Sequence, residues 1–186
     1  MIGYALCGSF CTHASSLRAL ASLLKSGCDV QPIVSETAAT TDTRFGTAAE
    51  LLKNLTEMTG RTPITGIREA EPLGPRTPLD ALIIAPCTGN TLAKLAHGIT
   101  DTAVCMAAKA HLRGNRPLLI ALASNDALSA NLGNLAQLLQ KKNVFFVPLL
   151  QDDPAAKPHS LVADFSKLQD AYEAMRAEKQ LRPLFR

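Results

Sequence analysis

Residues 80–97 read DALIIAPCTGNTLAKLAH. Leu82, Ile83, Ile84 and Ala85 follow one another with no polar residue between them. A strand over Asp80–Ala85 therefore has two buried faces, the pattern of a parallel sheet covered by helices on both sides. Pro86 stops the run, and the small polar residues behind it open a helix near Thr91–Ala96. Working outward, Pro117–Ala123 (PLLIALA) repeats the two-sided pattern, and Ile2–Cys7 is a third buried strand ended by Gly8-Ser9. Val30–Val34 is a fourth, where Pro32 demands an edge or a bulge because it has no N–H to donate. Val144–Pro148 is a fifth. Between them run helical faces: Ser15–Lys25 with Gly27 at its C′ position, Phe45–Met58 ended by Gly60, Thr102–Leu112, Leu132–Gln140 and Ser166–Lys179. Arg61–Pro78 holds four prolines and two glycines, which makes it a connection with one short strand at Ile64–Ile67. Strands alternating with helices specify an α/β fold with a doubly wound parallel sheet.

The chain has 186 residues. Cores grow as one unit to about 250 residues, so a single domain over 1–186 is expected. A net charge of +3 gives no footprint for nucleic acid, and 4% aromatic residues with no Trp exclude base stacking as the main binding mode. Five cysteines without a CxxC pair indicate reduced thiols. With no signal-like N-terminus and no run of 18 apolar residues, a cytoplasmic chain that binds no membrane is expected.

Doubly wound sheets bind ligands outside the carboxyl ends of their strands. The loops that matter therefore follow Cys7, Val34, Ala85 and Ala123. In the first, Gly8 permits close backbone approach, and Ser9 and Thr12 can cap a helix whose free N–H groups suit a phosphate. Neither GxGxxG nor GxxxxGK[ST] is present. In the third, Thr88, Asn90 and Thr91 exceed what capping one helix needs, and together with Pro86 they make a binding site. Cys87 beside them reads as a packed residue. In the fourth, Ser124 and Asn125 can reach a heterocycle's edge, while Asp126 is its one carboxylate and is either a catalytic group or a helix cap. Arg44 can hold a phosphate or carboxylate bidentately, unless Asp42 caps the next helix and pairs with it. Asp152-Asp153 ahead of Pro154 reads as a solvated turn. His13, His97, His111 and His159 lack metal-ligand spacing and read as surface or capping residues.

The segment IAPCTGNTLAKLAHGITD at 84–101 resembles the FMN-binding signature of the homo-oligomeric flavin-containing flavoprotein family, and Gly8-Ser9 and Ser35 match the same pattern. TDTRFG at 41–46, EAEPLGP at 69–75, TDTAVCMAAKAHLRGNRP at 100–117 and QDDPAAKPHSLVADF at 151–165 resemble one branch of it, the dipicolinate synthase B subunits. The resemblance implies a Rossmann-like sheet of about six strands in the order 3-2-1-4-5-6. It implies a flavin bordered by Gly8, Ser9 and Phe10, with Ser35 near its phosphate or ribityl chain. Pro86, Cys87, Thr88, Asn90 and Thr91 would line that site, and Ser124 and Asn125 would lie beside the ring system. It also implies a homo-oligomer in the mother cell of a sporulating bacterium. The partner would be the A subunit of dipicolinate synthase, carrying NADPH or NADP. Together they form pyridine-2,6-dicarboxylate from dihydrodipicolinate or its hydroxytetrahydro precursor. Arg44, Lys94 and Lys109 are the cations available for the substrate's carboxylates. The family's cysteine decarboxylases have a PxMNxxMW-type clamp where this chain has Ser124-Asn125-Asp126-Ala127, and a histidine after the third strand. No histidine lies here between His13 and His97, which disfavours that decarboxylation. Two other readings stand beside it: a vestigial flavin site in a noncatalytic scaffolding protein, and a different flavin-dependent decarboxylase or oxidase of the same family.

Overall fold

The computed structural model describes residues 1–74 and 76–186; Pro75, the last residue of the EAEPLGP motif, lies outside the described residues. Five parallel strands form the core of the sheet: β1 (Ile2–Leu6), β2 (Val30–Val34), β3 (Leu82–Cys87), β4 (Leu118–Ser124) and β5 (Val144–Phe146). Their spatial order is β2-β1-β3-β4-β5. Outside β2, Ile64 forms a single parallel bridge to Ile33, with Ile64 N donating to Pro32 O and Val34 N to Ile64 O. Counting that bridge as the third strand reproduces the expected order 3-2-1-4-5-6. The expected strand at 64–67 shrinks to this bridge because a short helix, α4 (Ile67–Ala70), begins where it should continue. Pro32 faces its missing donor toward this sparsely paired edge, which is where a proline is tolerated.

Helices cover both faces, as the two-sided burial of β3 and β4 requires. On one face lie α1 (His13–Lys25) and α8 (Leu168–Arg176). The other carries α4, α5 (Gly89–His97), α6 (Ala103–Leu112) and α7 (Leu132–Leu139). Burial of unbroken apolar runs such as Leu82–Ala85, at roughly 1.5–3 kcal/mol per large side chain, is what drives this arrangement. Polar ties pin α1 to the sheet. The buried Tyr4 hydroxyl donates to Ser16 O at 2.9 Å, and Ser16 Oγ donates to Ala85 O at 2.5 Å.

Several boundaries differ from expectation for identifiable reasons. The second helix expected from Phe45 begins later, as α3 (Ala48–Thr59). Thr47 and Glu50 form a capping box there, and Asp42 Oδ1 also accepts from Ala48 N at 2.9 Å. A short helix α2 (Glu36–Thr40) precedes it. The final helix starts as a 3-10 turn at Phe165–Lys167 and ends at Arg176. His111, read from the sequence as a surface or capping residue, is buried. Its Nε2 donates to Pro117 O at 2.8 Å, closing the turn between α6 and β4, and burial lowers its pKa.

The antiparallel hairpin of β6 (Leu149–Leu150) and β7 (Leu161–Ala163) has no counterpart among the expected elements. Its signal is weak because β6 has only two residues and pairing, not periodicity, defines it. β4 pairs with β5 over Leu118–Ile120, then with β7 at Ala123 and Ser124. The hairpin therefore takes over the sheet edge at the carboxyl end, where Pro148 follows β5. The C-terminal tail runs beside β6, with Leu149 N donating to Leu184 O and Arg186 N to Leu149 O. Among the described residues no helix is long and apolar enough to cross a membrane.

Candidate functional site

The carboxyl ends of β1, β3 and β4 open into a cleft of about 650 Å³, a volume within the usual range for small-molecule sites. The hairpin connection 151–160 and the turn 43–46 supply its far walls.

The first wall is the turn after β1. Ser9 N donates to Cys7 O at 2.9 Å, and Thr12 donates to Ser9 O through both N and Oγ1. The Ser9 side chain makes no cap bond, which leaves its hydroxyl to the cleft. Gly8 and Phe10 line the cleft beside it. His13 supports this turn from below, its Nε2 donating to Cys7 O at 2.8 Å, and burial lowers its pKa.

The second wall is the start of α5. Thr88 caps the helix, its Oγ1 accepting from Thr91 N at 3.2 Å and donating to Thr91 Oγ1 at 3.1 Å. Thr91 Oγ1 in turn donates to Cys7 Sγ at 3.3 Å. Thr88 and Gly89 reach the cleft, whereas Thr91 is buried behind them. Pro86 and Cys87 are packed in β3, and Asn90 is exposed on α5 outside the cleft lining. Burial raises the Cys87 thiol well above its usual value and pushes Cys7 up to about 12. Neither is a thiolate near neutral pH. Ser35 also stays out of the cleft. Its hydroxyl caps α2 by accepting from Ala38 N at 3.3 Å.

The third wall is the loop after β4, where Ser124 and Asn125 face the cleft. Asp126 lies behind them as a brace. Its Oδ1 accepts from Ser124 Oγ at 2.5 Å and its Oδ2 from Asn131 Nδ2 at 2.9 Å. Asp126, the candidate catalytic carboxylate, is thus placed behind the cleft lining and hydrogen-bonded through both oxygens. The hydrogen bond from Ser124, and a second from Asn131, lower its pKa, which makes it a poor base, and both oxygens are committed. Gly89 packs against this brace. A Cβ there would lie 2.3 Å from Ser124 Oγ, 2.7 Å from Asn131 Nδ2 and 2.9 Å from Asp126 Oδ1. Gly89 is not among the residues singled out from the sequence, although glycine in the first turn of a helix is a poor helix former and therefore informative.

Replacing Asp126 with asparagine tests the brace. One neutral amide must then serve both neighbours, so stability at neutral pH should fall by about 1 kcal/mol. Because the folded pKa lies below the free value of 3.8, the native carboxylate stabilises above pH 3.8 and loses that contribution as pH falls through the folded value. Urea midpoints at pH 7 and pH 3 should therefore differ less in D126N than in the parent. An unchanged pH difference would remove Asp126 from the brace.

Of the three cations expected to meet substrate, only Arg44 lines the cleft. Its guanidinium stacks 4.9 Å from the Phe45 ring centroid, and Asp42 is occupied as a cap of α3. Lys94 and Lys109 are displaced to a separate groove at the ends of α5 and α6, where Lys94 pairs with Asp101 at 2.8 Å. Lys94 lies in the last turn of α5 and Lys109 in the last turn of α6, away from the helix start that borders the cleft. The second cation of the cleft is instead Lys157, whose Nζ lies 3.0 Å from Asp152 Oδ2. Its motif is legible in the sequence, but the fold-back that brings it to the cleft is not. Cys11 is exposed in the same cleft, and all five cysteines are free thiols.

Comparison with known proteins shows the family and the fold. The family model described as Flavoprotein matches residues 1–174. The B subunit of dipicolinate synthase from Bacillus subtilis (strain 168) is 44% identical over 183 residues, covering 98% of this chain and 92% of that protein. The crystal structure of the corresponding B subunit from Bacillus halodurans superposes with a TM-score of 0.91 at 39% identity, covering 100% of this chain and 95% of that one. The FMN-dependent cysteine decarboxylase SpaF shares the fold, with a TM-score of 0.67 at 22% identity over 95% of each chain.

Proposed function

This chain belongs to the Flavoprotein family, and from that premise we propose that it is the B subunit of a dipicolinate synthase. The observation that carries the reading is the 44% identity across 98% of the chain, joined to a cleft built from the segments those motifs occupy. Acting with a nicotinamide-binding A subunit in the cytoplasm of a sporulating mother cell, it forms pyridine-2,6-dicarboxylate. The hydroxytetrahydro precursor loses water, and the dihydro form gives up one hydride to an acceptor and one proton to solvent. Aromatisation makes the second step strongly downhill.

The donor set of the cleft fits FMN. The Ser9 hydroxyl and the Asn125 amide can donate to a polar ring edge, the hydroxyls of Thr12, Thr88 and Ser124, whose protons go to Ser9 O, Thr91 Oγ1 and Asp126 Oδ1, can accept from a ribityl chain, and the Phe10 ring offers a flat apolar surface. The start of α5 suits its phosphate. Asp152 is the one carboxylate among the lining residues, and it is already paired with Lys157. Bound there, FMN would supply a two-electron acceptor. The chain's own residues bind and orient: Gly8 admits close approach, the Ser9 hydroxyl and the backbone N–H groups at the start of α5 hold the anionic end, and Ser124 and Asn125 meet the ring. Ser35 and Thr91 act beneath, as caps that fix the loops carrying these groups. Asn90, exposed beside the cleft, is available to a second copy in a homo-oligomer.

A flavin titration of the purified chain, followed by visible absorbance and fluorescence, tests this. Saturable binding of one FMN per chain is expected, with bleaching on addition of substrate together with the nicotinamide-binding partner. Absence of binding would move the hydride to the partner's nicotinamide and leave this chain a scaffolding or substrate-shaping protein.

A further inference from the structure

A pyridine-2,6-dicarboxylate carries two anionic groups, one on each side of the ring nitrogen, so a site that selects it needs two separated cations. Among the residues lining the cleft, only Arg44 and Lys157 are basic, and they come from different walls. Arg44 sits in the tight turn closed by Thr43 N to Gly46 O and Gly46 N to Thr43 O. Stacking on Phe45 orients the guanidinium plane and leaves its N–H edge without an ion-pair partner among the described residues. That edge matches a carboxylate bidentately.

Lys157 is held just as definitely from the other side. Its backbone N donates to Asp153 O at 2.7 Å, Ala156 N donates to Asp153 Oδ1 at 3.0 Å, and Gln151 Nε2 donates to Pro158 O at 2.8 Å. Leu128 N donates to His159 O at 2.9 Å, which ties this connection to the loop carrying Ser124 and Asn125. The Lys157–Asp152 pair is about half exposed at the lysine and a third at the aspartate. Such pairs contribute little, so exchanging Asp152 for a ligand carboxylate costs little.

We propose that Arg44 and Lys157 form a two-point clamp for the substrate's two carboxylates, with Asp152 parking Lys157 in the ligand-free chain. This rests on the reading of the cleft as the site of pyridine-2,6-dicarboxylate formation. The clamp selects a dicarboxylate over a monocarboxylate, because the second cation is satisfied only by a second anion.

Calorimetric titration of the full chain with pyridine-2,6-dicarboxylate and pyridine-2-carboxylate, with and without FMN, tests it. The parent should bind the dicarboxylate roughly 10- to 100-fold more tightly, the worth of one charge-assisted hydrogen bond. R44M and K157M should each lose most of that preference, with FMN and without it, and K157R should retain it. A parent that prefers the dicarboxylate alongside a K157M that prefers it equally overturns the clamp alone and leaves Lys157 a structural partner of Asp152. A parent that binds neither acid overturns the functional reading and the clamp with it.

Discussion

Replacing Gly89 with alanine is expected to destabilise the protein by about 3 kcal/mol and to abolish ligand binding in the cleft. The added Cβ would meet Ser124 Oγ at 2.3 Å, closer than any real contact. Ser124 has a short side chain and is locked to Asp126, which is locked to Asn131, so relief requires breaking the brace. Overpacking of this kind costs roughly 1–3 kcal/mol, and losing hydrogen bonds to a charged group adds about 1.5–3 kcal/mol. For a domain of this length the melting temperature should drop by roughly 6–12 °C. Gly133 in α7 is the control. A Cβ there meets nothing within 4 Å, so G133A should be neutral or stabilising by up to about 1 kcal/mol. Equal melting temperatures for G89A and the parent would show that the loop after β4 yields freely, and the brace would lose its role.

Removing residues 180–186 should cost about 4 kcal/mol. Gln180 bonds both backbone groups of Phe146: its Oε1 accepts from Phe146 N at 2.8 Å and its Nε2 donates to Phe146 O at 2.7 Å. Leu149 N and O are satisfied by Leu184 O and Arg186 N. Truncation leaves those four groups to water or unpaired, at about 1 kcal/mol each, and also loses the Arg186–Asp164 pair at 3.0 Å. The expected fall in melting temperature is roughly 8–16 °C. Q180A alone should produce about half of it. The shortened chain should also bind pyridine-2,6-dicarboxylate more weakly, because β6 anchors the connection that presents Lys157. A truncated chain melting within about 2 °C of the parent, less than 1 kcal/mol is worth at this size, would mean the tail contributes nothing to the sheet edge.

The sequence by itself determined the parallel core, the strand order once the family resemblance was added, and the loops on which the cleft would be built. Unbroken apolar runs such as Leu82–Ala85 have only one favourable fate, burial on both faces, so local composition is enough. The same holds for Gly8, Ser9, Phe10, Thr88, Ser124 and Asn125. They lie at strand ends or within a few residues of them, and the carboxyl edge of a parallel sheet is a fixed address. Only the tertiary structure decided which polar groups are turned into the fold and which line the cleft. Ser35, Thr91 and Asp126 carry the same chemistry as their neighbours in the cleft, yet capping and bracing use it up. Arg44 and Lys157 are 113 positions apart in the numbering, and no local period relates them. Their meeting depends on β7 pairing antiparallel with the end of β4 and folding residues 151–160 across the cleft. Lys94 and Lys109 lie nearer to Thr88 in sequence, but their places in the last turns of α5 and α6 carry them to a separate groove. Local physics chooses the strands and the helices. Long-range pairing chooses the faces they share, and in this protein the candidate site is made of shared faces.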